Sequence, residues 1–153
     1  MVLLLSFLIP CQVDAINRLA KHYYLFPLSN IDHTSFHQTL SGPLKDITFT
    51  ASYIAEDIGS YKPSLRNFEY LLSHLKTDLG VEKGELVHVA QSLYLDHAPC
   101  KGMGVRSVWV DRYGVLAKSE GGGELREEYG FALRVESLGK LADLVNEAFE
   151  RRA

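Results

Sequence analysis

Three short polar clusters along the 153 residues follow or adjoin apolar runs: Ser29-Asn30, Ser60-Tyr61-Lys62-Pro63, and Gln91-Ser92 with Asp96 close behind. Together they offer hydroxyls, an amide, an ammonium and a carboxylate. Were they to converge, that set could cradle small negatively charged groups. Taken singly, each has an ordinary reading. Ser29-Asn30 serves equally as a turn or helix-cap pair, Lys62 before a proline as a solvated loop residue, and Asp96 as a favourable charge near a helix start. Their joint placement is what singles them out.

The elements that must position them follow from the hydrophobic period. Val13, Ile16, Leu19 and Ala20 recur at helical spacing opposite Asp14, Asn17, Arg18 and Lys21. Residues 23–28 are aromatic and aliphatic without a break, which suits a strand buried on both faces of a parallel sheet. Beyond the turn at 29–32, the pattern predicts a short helix over 34–40 closed by Gly42-Pro43, and a strand over 47–54. A helix from Leu65 follows, with Phe68, Leu71, Leu72, Leu75 and Leu79 on one stripe, Ser64 as its N-cap and Gly80 as its stop. Strands over 86–90 and 107–110 flank a helix through Asp96 and Lys101. Residues 119–123 read as a loop, and a last helix from Ser137 carries Leu138, Leu141, Leu144, Val145 and Ala148, with Arg151 and Arg152 favouring its dipole. Such alternation predicts an α/β, Rossmann-like parallel sheet with flanking helices, whose ligands sit beyond the carboxyl ends of the strands. That rule selects the same three clusters.

In this order and spacing the segments resemble the haloacid dehalogenase superfamily, and within it the type II (S)-2-haloacid dehalogenase-like branch. The match runs from about Pro10 to Asp111, with Leu28-Ser29-Asn30 similar to the second family motif, Ser60-Tyr61-Lys62-Pro63 to the third, and residues 88–96 to the fourth. The family reaction is hydrolytic dehalogenation, in which an aspartate carboxylate displaces halide and water cleaves the resulting ester. The resemblance implies that Ser29 and Asn30 hold the substrate carboxylate or the developing charge. It implies that Lys62 neutralises the nucleophile and that Asp96 orients or activates the water, with Ser92 as its support. Phe68 lies where some relatives carry a pocket-facing tyrosine. The expected ligand is a small carboxylate or 2-haloacid, with no cofactor. Gln91 stands where metal-dependent relatives carry an acidic residue, and a neutral amide is a poor ligand for magnesium, so no metal is expected.

The largest departure is the first motif, whose aspartate should precede Ser29: no such sequence lies upstream, no nucleophile is assigned, and the cap domain is missing. The chain is thus expected to comprise an apolar segment at 1–12 and an incomplete core at 13–153 lacking its first strand. In the family that strand is central, so its loss would leave unpaired backbone groups in mid-sheet. Residues 2–9 are the expected surrogate, or else a remnant of the cap. A look-alike of the first motif, Val108-Trp109-Val110-Asp111-Arg112-Tyr113-Gly114-Val115-Leu116, raises a circular permutation. Too little chain follows it for a cap, Val115 replaces a threonine, and the segment fills the place of the strand after the fourth motif. The expectation is therefore an impaired hydrolase fragment, or alternatively a non-catalytic anion-binding remnant or part of a longer active product.

Bulk properties narrow the remaining classes. Hydrophobic residues at 46% and charged residues at 23% place the chain among folding globular domains, of a length for one core. Net charge is −3 with scattered Lys and Arg, which argues against nucleic-acid binding. Residues 2–9 are apolar with small residues near 13–15, yet they lack a positive flank and fall short of the ~20 residues of a membrane span. Cys11 and Cys100 match no disulfide framework, so a reducing, cytoplasmic setting is expected. His33 and His37 have metal-ligand spacing, but Thr34 stands where a zinc protease needs glutamate. His22, His74, His88 and His97 form no recognisable group, and His88 and Trp109 read as packing. Oligomeric state is not legible.

Overall fold

The computed structural model describes residues 1–6, 12–114 and 122–151. Six parallel strands form one sheet: β1 (Val2–Leu5), β2 (Tyr24–Ser29), β3 (Tyr53–Ile54), β4 (Leu86–Ala90), β5 (Arg106–Val110) and β6 (Leu133–Val135), in the order β3-β2-β1-β4-β5-β6. The helices are α1 (Val13–Ala20), α2 (His33–Ser41), α3 (Ala55–Ile58), α4 (Leu65–Leu79), α5 (Ala98–Met103), α6 (Gly122–Tyr129) and α7 (Leu138–Glu150). This is the expected α/β, Rossmann-like architecture.

Both faces of the sheet are covered, which is why β1 is apolar at every position and its neighbours β2 and β4 are apolar apart from Ser29 and His88. Successive side chains of β1 point to opposite faces. Leu3 and Leu5 join Ile16 and Leu19 of α1, Leu25 of β2 and Leu138 and Leu141 of α7 in one core layer. Val2 and Leu4 join Phe26 and Leu28 of β2, Phe68, Leu71 and Leu75 of α4 and Leu86 of β4 in the other. Each such side chain contributes roughly 2 kcal/mol through burial. β1 pairs with β2 through Leu4↔Phe26 and with β4 through Leu4↔His88, so the amino-terminal run occupies mid-sheet and satisfies the backbone of both neighbours.

Several expectations at element level need correction. The strand read over 47–54 shortens to Tyr53–Ile54, because Thr48, Thr50, Ala51 and Ser52 are exposed and this edge has one neighbour. Ser64 occupies the N-cap position of α4, yet its side chain makes no capping hydrogen bond. The helix through Asp96 divides into a single π-type turn, Leu93–His97, and α5. Residues 115–121 lie outside the described residues, including Val115, Leu116 and the start of the loop read over 119–123; from Gly122 the chain is helical as α6. Residues 7–11, which include the last three of the surrogate strand expected over 2–9, and Arg152 also lie outside them. No helix of the described residues is long and apolar enough to cross a membrane.

Candidate functional site

Ser29-Asn30, the Lys62 loop and Gln91 to Asp96 meet at one rim of the sheet, at the carboxyl ends of β2, β1 and β4. From these segments Ser29, Asn30, Lys62, Gln91, Ser92, Leu95 and Asp96 line a cleft of about 450 Å³ together with Ser6 and Ile31. Three devices place them. The side-chain amide of Asn30 brackets the Lys62 backbone, accepting from its N–H at 2.7 Å and donating to its carbonyl at 3.0 Å. Ser92 accepts from the Leu95 amide at 3.1 Å and so opens the turn that carries Asp96. Ser6 directly follows β1 and holds the centre of the rim.

Beneath the cleft lies a buried polar cluster. Lys62 Nζ donates to Asp96 Oδ1 at 2.7 Å, to Ser6 Oγ at 2.8 Å and to the Leu28 carbonyl at 3.1 Å. An ammonium has three N–H groups, and all three are engaged. His88 Nε2 lies 3.0 Å from Asp96 Oδ1 and 3.1 Å from Ser6 Oγ. Lys62, His88 and Asp96 are 5%, 0% and 3% exposed, so the ion pair is dry and its partners decide its charge state. Burial pushes the Asp96 carboxyl up, but the His88 hydrogen bond and the nearby Lys62 ammonium outweigh it and hold the group ionised, well below the usual carboxylate range. Burial pushes His88 down, aided by the Lys62 charge, and keeps it neutral. Its proton belongs on Nε2. There it faces a carboxylate, whereas on Nδ1, which is buried without a hydrogen-bond partner, it would be an unsatisfied donor.

These assignments decide what Ser6 can do. Its hydroxyl donates to the Leu28 carbonyl at 3.2 Å and accepts from Lys62 and His88. Neither neighbour is a base, since the lysine is paired with Asp96 and the histidine presents N–H. The serine is therefore held, not activated.

The other sequence-selected residues fall around this cluster. Ser29 lines the cleft at the end of β2. Phe68 is fully buried on α4, edge-to-face with His88 at 5.4 Å between ring centroids, and lies outside the cleft lining. Asp111, the look-alike aspartate, is buried at the end of β5, where Arg134 donates to it through Nε at 3.0 Å and Nη2 at 2.8 Å. Its charge serves that fork, two strands away from the centre of the rim. Ser6 and His88 were not singled out by the sequence reading. For Ser6 the signal was a lone hydroxyl inside the apolar run 2–9, with Phe7, Leu8 and Ile9 following it. For His88 the signal is one polar residue inside an otherwise apolar strand.

The site does not fit a magnesium ion. The rim positions offer Ser6, Gln91 and Asp96; the side-chain oxygen of Gln91 accepts from Arg112, and Asp96 is engaged by an ammonium and an imidazole. Among the described residues no three His, Cys, Asp or Glu side chains gather as a metal site.

The same fold recurs in solved structures. YfnB of Bacillus subtilis, a HAD-hydrolase bound to magnesium, aligns with 90% of this chain and 56% of its own at a TM-score of 0.73 and 18% identity. A HAD phosphatase from Thermococcus onnurineus matches 90% of this chain and 58% of its own, at 0.66 and 23%. A 2-haloacid dehalogenase from Pseudomonas syringae pv. Tomato matches 88% and 51%, at 0.61 and 21%. The fold is thus that of the haloacid dehalogenase-type hydrolases, and the chain spans little more than half the length of these structures. No family model and no curated protein matches the sequence.

Proposed function

We propose that this chain is a haloacid dehalogenase-type core that binds small carboxylates at the rim cleft and does not form the aspartyl ester on which hydrolytic dehalogenation depends. The observation that carries the reading is Ser6: a hydroxyl, not a carboxylate, stands at the end of the central strand against Lys62. An alcohol with no base beside it is a poor nucleophile toward a carbon–halogen bond. The cleft still offers the hydroxyls of Ser6 and Ser29 and a buried cation beneath them. With Ser6 neutral and the Lys62–Asp96 pair self-compensating, the cluster carries no net charge to repel an anion.

The test is incubation of the chain with 2-chloropropionate, followed by calorimetry and halide analysis. Binding without chloride release is expected. Chloride release that vanishes in Lys62→Ala would contradict the reading and make the chain a working dehalogenase. A second reading, in which the chain is part of a longer active hydrolase, is favoured by its spanning only 51–58% of three matched structures. Sequencing the upstream end of the messenger tests it; an in-frame aspartate motif with a cap would support it.

A further inference from the structure

We infer that the Ser6 hydroxyl is an internal occupant of the anion position on Lys62, and that an incoming carboxylate binds by displacing it. The inference rests on the small-carboxylate reading of the cleft and adds how the site is gated. Lys62 Nζ has no spare N–H, because Asp96 Oδ1, Ser6 Oγ and the Leu28 carbonyl take all three. A ligand reaching this cation must therefore replace one acceptor.

The three acceptors differ in how readily they yield. Asp96 is ionised and buried, and leaving it would strand two charges in a dry interior. The Leu28 carbonyl belongs to β2 and cannot turn away. Ser6 Oγ is neutral and sits on a rotatable side chain at the cleft wall, so turning it off the ammonium strands no charge in the interior. The serine thus acts as a competitor tethered to the site. It lowers affinity by the strength of one charge-assisted hydrogen bond that must be broken before the ligand can form its own.

Acetate, titrated by calorimetry against the native chain, Ser6→Ala and Ser6→Cys, tests this. The cysteine variant still fills the position while supplying only a weak acceptor. About tenfold tighter acetate binding is expected in Ser6→Ala, with a smaller gain in Ser6→Cys, and the Lys62 ammonium NMR signal should respond to acetate at correspondingly lower concentration. Equal or weaker binding in both variants, or a Lys62 signal indifferent to acetate in Ser6→Ala, overturns the inference. Failure of the underlying reading is separately visible, since it appears in the native chain as chloride release or as absence of acetate binding, whatever the variants do.

Discussion

Two buried histidines make the stability of this chain depend on pH in a direction that follows from their partners. His97 Nε2 donates to the Ala90 carbonyl at 3.1 Å, and its Nδ1 accepts from Ser107 Oγ at 2.8 Å, which satisfies the neutral ring completely. Burial lowers its pKa from 6.5 to about 4. Between those values the unfolded chain binds a proton that the folded chain refuses. Stability is therefore whole above about pH 6.5 and falls as pH drops toward 4, by roughly 3 kcal/mol from this residue. His88 shifts in the same direction and steepens the loss. Asp96 is depressed instead, so its contribution is present above the ordinary carboxylate range and disappears only at stronger acid. Urea unfolding at pH 7 and pH 4.5 should show the native chain losing stability; His97→Gln, which can still donate to Ala90, should show a shallower dependence. Equal slopes in the two proteins would refute the assignment. At this scale the convergence of Ser29, Asn30, Lys62 and Asp96 was legible because their clusters follow strands of one parallel sheet in an order that resembles a known pattern. What was not legible is partnership. Nothing in the sequence says that the Asn30 amide turns onto the Lys62 backbone, or that His88, inside an apolar strand, meets the same carboxylate as Lys62.

Among the elements, the helices show how a correct boundary can carry a wrong cause. Ser64 and Ser137 both precede helices, but only Ser137 caps: its hydroxyl accepts from the Lys140 amide at 3.1 Å, while Ser64 makes no such bond. Ser137→Ala should cost about 1 kcal/mol and Ser64→Ala close to nothing, read as the shift of the urea midpoint at constant slope. Equal losses would mean that position and not hydrogen bonding sets the cost. Central strands were legible because burial on both faces leaves an apolar run, broken in β4 only by His88. The edge strands were less so: β3 was read too long and β6 not at all, since each has one neighbour and three residues or fewer, with Leu133 still 39% exposed. α6 escaped for a different reason. Gly122 and Gly123 open it, and a glycine pair signals a loop when no tertiary contact is known.

For the molecule as a whole, the deciding feature is where the first six residues go. A parallel sheet missing its central strand would leave the facing backbone groups of β2 and β4 without partners, a loss that a marginally stable domain absorbs poorly. Val2–Leu5 fills that place in register with both neighbours, and the same placement sets Ser6 over Lys62. Fold and cleft therefore share one cause. Amide hydrogen exchange tests it most directly. The amides of Leu3, Leu4 and Leu5 should exchange as slowly as those of Val87, His88 and Val89, as befits strands in the middle of one sheet. Exchange of the first six residues at the rate of a free tail would remove Ser6 from the site, and with it the proposed cleft.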